Sequence, residues 1–268
     1  MKRGMFICIA MVSMILGNVI VEVPKAVAQD IKVFGSAQMH SAFIDEGTQA
    51  FIKDTGINAV AEYDTSEAGV RAIINGSCTV ATVARKLKLA EKALDKTLVE
   101  VLVAKDAMAV YVDKSNPVNG LSISDVQKVF SGQITNWKDI GGASGSIQVT
   151  IPQIKTACNK NFTKAAMGDQ GFASSSIITQ TASDTLSKVK GNSGAISFIS
   201  YGAVANSPDF KALKVDGKAP GDAGYQIIQE LYLVTKGQPS GDLKTYVDYF
   251  LNGNGKAIIQ KNGMFPPN

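Results

Sequence analysis

From Ile31 to Val83 the chain alternates short β-rich runs with helical stripes, and that alternation confines it to α/β architectures. Residues 31–34 read as a strand and Gly35-Ser36 as the turn after it. Phe43, Gly47, Ala50 and Phe51 then keep one helical face until Gly56 stops it. Residues 59–63 read as a second strand, followed by a helix carrying Val70, Ile73 and Ile74, and residues 78–83 as a third strand. A strand that feeds a helix through Gly-Ser aims the helix's first backbone N–H groups at whatever lies above the strand ends, which suits an anion. Ser66 stands at the start of the second helix, where it can cap that helix or meet a ligand. The 25 glycines fit an α/β chain with many short connections.

The segment before this alternation reads differently. Lys2 and Arg3 precede an apolar run over residues 6–20, and Ala26-Val27-Ala28 is an A-x-A cleavage site, so residues 1–28 are expected to be an export signal cleaved after Ala28. Its removal leaves 24 basic and 22 acidic residues, a net charge of +2. That balance argues against a nucleic-acid partner, which needs a concentrated basic field. Only Arg71 and Arg85 then remain among the basic residues as arginines. A guanidinium is a planar fork suited to oxyanions, so each arginine matters. Arg71 falls inside a helix and reads as a solvated residue. Arg85 follows the third strand, where strand ends of open α/β sheets face a ligand crevice, and it reads as a cleft residue, with a surface salt bridge as the alternative.

Residues 115–142 carry the most specific string, SNPVNGLSISDVQKVFSGQITNWKDIGG. Asn116-Pro117 and Asn119-Gly120 are turn dipeptides. Ser122 with Asp125 three residues on is close to a capping box, Val126, Val129 and Phe130 keep helical spacing, and Gly132 ends the run. The string resembles the signature of the PstS-like periplasmic phosphate-binding receptors. In that family an Asn-Pro turn leads to Phe-Ser-Gly-x-Ile-x-x-Trp and then Gly-Gly, and here Trp137, the one tryptophan, is in register. Gly194 to Tyr201 (GAISFISY) resembles the family's Gly-Ala-Ile-Gly-Tyr segment, and residues 225–266 resemble its returning strand and final helices.

The resemblance implies an α/β, periplasmic-binding-protein-like (type II) fold, with two α/β lobes joined by a two-strand hinge. Residues 29–109 plus 231–268 would form lobe 1 and residues 110–230 lobe 2. Two further β-rich runs, residues 99–103 and 107–112, are expected, the second carrying the chain between the lobes, and residues 86–98 are expected to be a Lys-rich solvated helix. The implied ligand site gathers Ser36, Ala37 and Gln38 from the Gly-Ser turn, Ser66, Arg85, and Lys155, Thr156, Ala157 and Cys158. Departures from the family lie in that same set. Ala37 and Gln38 replace threonines, Ala84 replaces a serine, Pro152 stands at the family's Arg, and Thr156-Ala157-Cys158 stands at its Ser-Gly-Thr. The implied function is capture of a small oxyanion, phosphate or phosphate-like, in an interlobe cleft for an ABC permease. The protein would be a periplasmic monomer with no cofactor.

Two other classes compete. A binding protein that feeds a membrane sensor or scavenges another ligand would use the same lobes. A Cys/His hydrolase would need Cys158 and His40, the sole histidine, to meet, and no third orienting residue is apparent. His40 reads instead as lining the cleft or exposed on the first helical turn. Two candidate ligands without CxxC or HxxxH give no metal site. Export favours oxidation, so a Cys78–Cys158 disulfide is the alternative, but the two are expected at opposite ends of the strands, out of disulfide reach, as unpaired thiols.

Overall fold

The computed structural model describes residues 30–267, and the export segment expected over residues 1–28 lies outside them. Strand β1 (Ile31–Ser36) runs directly into a helical stretch made of α1 (Ala37–Met39), a π turn (His40–Ile44) and α2 (Asp45–Thr55), which Gly56 closes in the left-handed conformation at φ 70°. Then come β2 (Ala59–Asp64), α3 (Ser66–Asn75), β3 (Val80–Val83) and α4 (Leu89–Leu94). Strand β1 lies between β2 and β3, parallel to both. The alternation read from the sequence is therefore a parallel βαβ succession.

Two glycines set how closely its layers pack. A Cβ on Gly69 of α3 would fall 2.9 Å from the Cα of Gly35 and 2.9 Å from the carbonyl oxygen of Phe34, so the bare helix position rides on the strand backbone. Gly35 itself has φ 146°, and a Cβ there would lie 2.3 Å from the Thr82 carbonyl oxygen. The contact holds the start of α3 against the end of β1 and brings Ser66 and Ser36 toward one point. The helix expected over residues 86–98 is reduced to the six residues of α4, none of them buried, because no apolar face there has a surface to cover.

Strand β4 (Leu98–Asp113) follows, and then β5 (Gly120–Leu121), α5 (Ile123–Phe130), β6 (Gln148–Pro152) and α6 (Ala157–Phe162), which continues into a second π turn (Thr163–Met167). The chain goes on through β7 (Ile177–Thr179), α7 (Ala182–Val189), β8 (Ala195–Ser200), β9 (Phe210–Ala212), β10 (Lys214–Val215) and β11 (Ile228–Lys236), and closes with α8 (Gly241–Asn252) and α9 (Asn254–Lys261). Helix α5 carries the capping box expected of Ser122 and Asp125, with the Asp125 N–H donating to Ser122 Oγ at 3.0 Å, and Gly132 follows it at φ 80°. Trp137 is buried and donates from Nε1 to the Gly194 carbonyl at 3.1 Å, which ties the residue 115–142 segment to the start of β8.

The two β-rich runs expected at 99–103 and 107–112 form one strand of 16 residues. The polar pair between them, Lys105-Asp106, does not break it, because antiparallel β11 supplies Glu230 opposite Lys105 and Gln229 opposite Asp106. Strand β4 pairs with β11 over its first part and with β8 and β9 over its last. The sheet order is β2-β1-β3-β11-β4-β8-β6-β7, with β9 also on β4. Two sets of cores flank this crossing. One uses Ile31 to Ala104 and returns with Leu231 to Met264, and the other draws on Ala107 to Ile227, where Phe162 stacks on Phe198 at a centroid distance of 3.7 Å. The fold is thus two α/β lobes joined by crossing strands. No helix of the described residues is long and apolar enough to cross a membrane.

Candidate ligand-binding cleft

Between the lobes lies a cleft of about 390 Å³. Its first-lobe wall is made by the C-terminal ends of parallel strands and the helix starts that follow them, as the topology requires. Ser36, Ala37 and Gln38 come from the β1–α1 junction, Asp64, Thr65, Ser66 and Glu67 from the β2–α3 junction, and Ala84 and Arg85 from the end of β3. Lys155, Thr156, Ala157, Lys160 and Asn161, around the start of α6, form the opposite wall. Eight of the nine expected site residues therefore face one space. Cys158 does not line it and packs against the second-lobe core.

Each hydroxyl in the cleft has a distinct condition. Ser36 precedes the helical stretch but makes no side-chain cap, so the first helix amides and this hydroxyl have no bond to each other. Thr65, not Ser66, caps α3, accepting from the Ala68 N–H at 3.2 Å. Ser66 Oγ instead accepts from the Ala84 N–H at 3.1 Å, which leaves its own proton for the cleft. Thr156 caps α6 by accepting from the Asn159 N–H at 3.2 Å and donates to the Gln153 carbonyl at 2.7 Å. Pro152 ends β6, and its carbonyl takes the Asn159 side-chain amide at 2.8 Å, so the loop before α6 is closed by an amide and not by a guanidinium.

Arg85 lines the cleft, but its fork is engaged inside its own lobe. It makes two parallel bonds to Glu91, at 2.9 and 2.8 Å, one to Glu67 at 3.2 Å and one to the Lys86 carbonyl at 3.0 Å. Four of the five guanidinium donors are thereby used. The Glu91 carboxylate raises the Arg85 pKa further. Burial pushes the Glu67 carboxyl up, yet its own backbone N–H, Arg85 and Lys88 outweigh that and hold it below the usual range. The cleft thus carries Asp64 and Glu67 on the first lobe against Lys155 and Lys160 on the second, with Arg85 shared between Glu67 and Glu91.

Behind Gln38 lies a buried polar network that the sequence reading does not include. The side-chain amides of Gln38 and Gln229 exchange two bonds, at 2.9 and 3.0 Å, and Gln229 also donates to the Ala84 carbonyl at 2.9 Å. Gln38 further reaches Asp106 Oδ2 at 3.4 Å, while Ser200 Oγ donates to Asp106 Oδ1 at 2.6 Å. Asp106 is 1% exposed, and burial raises its carboxyl from 3.8 to about 6. One network therefore joins the first helix start, both crossing strands and the end of β8. Its sequence signal was the polar pair Lys105-Asp106 within an otherwise apolar run, residues 101–112. Lys160 and Asn161 had a signal too, standing one helical turn beyond Thr156 and Ala157.

His40 neither lines the cleft nor lies exposed. It is 1% exposed at the start of the first π turn, with Nδ1 2.8 Å from Asp45 Oδ1, and its ring centroid is 5.8 Å from that of Tyr63. Burial lowers its pKa. Cys158 belongs to the other lobe, where burial, with Asp106 nearby, pushes its thiol up to about 12, and no bond joins it to His40 among the described residues. Cys78 and Cys158 are both free, as the strand geometry implied. No group of three or more acidic, His or Cys side chains among the described residues is placed to hold a metal ion.

Comparison with known proteins agrees with this architecture. The family model described as the PBP superfamily domain matches residues 22–254. The phosphate-binding protein PstS of Bacillus subtilis is 28% identical over 178 residues, which is 64% of this chain but only 58% of that protein. The PstS of Borreliella burgdorferi is 21% identical over 88% of this chain and 89% of its own length. Among solved structures, an ABC-type phosphate transport receptor from Vibrio cholerae superposes with a TM-score of 0.75 at 22% identity, covering 89% of this chain and all of that one. A putative phosphate ABC transporter substrate-binding protein from Clostridium perfringens, solved with phosphate bound, gives a TM-score of 0.71 at 24% identity over 90% of this chain. By its family match this chain belongs to the PBP superfamily, and it is similar to PstS proteins in sequence and to phosphate transport receptors in fold.

Proposed function

We propose that the protein is an exported receptor that captures a small oxyanion, phosphate or a close analogue, and delivers it to an ABC-type permease. In this reading residues 1–28 are removed after Ala28 and the receptor works as a periplasmic monomer. Lobe 1 (residues 29–109 plus 231–268) and lobe 2 (residues 110–230) close on the ligand about β4 and β11. The observation that carries the proposal is the convergence of Ser36, Ala37, Gln38, Ser66, Arg85, Lys155, Thr156 and Ala157 on one interlobe cleft. Closure of such a cleft removes water and so strengthens each bond from backbone amides, hydroxyls and ammonium groups to an anion. The relatives named above bind phosphate by their own descriptions, which supports the same ligand class here.

Calorimetric titration with phosphate, arsenate, sulfate and molybdate tests the reading. Saturable heat from at least one of them is expected. Heat from none would overturn it.

A further inference from the structure

A second hollow of about 340 Å³ adjoins the cleft, and the two share Ala84, Arg85 and Asn161 as common wall. The second chamber runs along the crossing strand β11, past Ile228, Gln229 and Glu230, and Lys164 enters it from the second lobe. Lys160 and Lys164 stand on one helical run, α6 and its π turn, one turn removed from each other, a spacing that sets Cβ atoms about 5–6 Å apart. Of this pair, Lys160 belongs to the first chamber, beside Lys155, and Lys164 to the second, across from Lys86.

Charge pairing separates these lysines from their neighbours. On the first lobe Lys86 pairs with Glu230 at 3.4 Å and Lys88 with Glu67 at 3.5 Å. Glu230 also accepts from the Tyr232 hydroxyl at 2.7 Å, so it is already answered. Among the described residues neither Lys160 nor Lys164 forms an ion pair, in contrast to the lysines across the cleft. A single tetrahedral anion seated near Ser36, Ser66 and Thr156 compensates the first chamber only. Closure would then leave Lys86 and Lys164 to share the single Glu230 carboxylate, so the second chamber keeps one positive charge in excess as water leaves, which is costly.

We infer that the ligand carries two anionic groups about one helical turn apart, one held in the first chamber and one by Lys164 in the second. Its class is a diphosphate, or a phosphate or phosphonate bearing a carboxylate. The inference rests on the oxyanion reading and narrows it.

The test titrates the protein with orthophosphate, pyrophosphate, phosphonoacetate and glycerol 3-phosphate, the last carrying a neutral tail. At least one of the two-anion compounds should bind about tenfold tighter than orthophosphate, and which one does so distinguishes the two sources of the second charge. Lys164→Gln, a change at an exposed position, should remove that advantage and leave orthophosphate affinity in place. The inference is overturned if orthophosphate binds as tightly as both two-anion compounds, or if glycerol 3-phosphate matches them. It is also overturned if Lys164→Gln weakens all the anions alike, since Lys164 would then answer Glu230 on closure. Binding of orthophosphate alone overturns only this inference, whereas heat from none of the four overturns the oxyanion reading with it.

Discussion

Asp106→Asn isolates the energetic cost of the buried network. In the fold the Asp106 carboxyl has its pKa raised from 3.8 to about 6, chiefly because burial disfavours the ionised form. Its folded value lies above its unfolded one, so its stabilising contribution is complete below about pH 4 and is lost as pH rises through about 6. Each pH unit of difference is worth about 1.4 kcal/mol, so at neutral pH the ionised carboxylate costs the fold about 3 kcal/mol. Asparagine keeps an acceptor for Ser200 Oγ, whose bond to Oδ1 is the shorter of the two contacts at 2.6 Å against 3.4 Å from Gln38. The variant should therefore match the parent near pH 4 and become more stable above pH 6 by up to about 3 kcal/mol, a rise in Tm of roughly 6–12 °C. Urea and thermal denaturation of both proteins between pH 4 and 8 measure this directly. Titrations common to both cancel in the difference. A stability difference that stays constant across that range would refute the argument that burial of this carboxyl sets the slope.

Three further outcomes follow from the cleft and its supports. Glu67→Gln removes the carboxylate that shares Arg85 with Glu91, so calorimetry should show phosphate bound about threefold tighter or better, and unchanged or weaker binding would count against an anion near Arg85. Gly35→Ala puts a Cβ 2.3 Å from the Thr82 carbonyl oxygen at φ 146°, so the urea midpoint should drop by the equivalent of about 2 kcal/mol or more, and an unmoved midpoint would contradict that crowding. Burial raises the thiols of Cys78 to about 11 and of Cys158 to about 12, so alkylation of the native protein at pH 8 should run far slower than that of a free thiol, and labelling at the free rate would refute their enclosure.

How much the sequence revealed depended on the range of the interactions involved. Periodicity and turn chemistry are local, and they located β1, β2, α3, α5 and the capping box at Ser122 within a few residues. The convergence of Ser36, Ser66 and Thr156 was legible through the family resemblance, which implied that these strand ends and helix starts meet in one cleft. What escaped was tertiary. Nothing near Arg85 announces that its fork closes on Glu91 across a turn, or that Ser66 serves Ala84 while Thr65 caps the helix. His40 reads as a surface or cleft residue until the π turn rotates it inward onto Asp45. Strand β4 looked interrupted because Lys105-Asp106 is polar, and only its distant partners Glu230 and Gln229 show why the ladder continues.

The sheet order also dictates a schedule. Strand β11 sits between β3 and β4, although it ends at Lys236, long after both have been synthesised. As the chain emerges, the N-terminal half-sheet must wait with an open slot at its centre, while residues 107–227, contiguous in sequence, already hold every strand and most of the side chains of their own core. The part made first is therefore the part completed last, and its unfilled edge is the segment that a holding chaperone has most reason to cover.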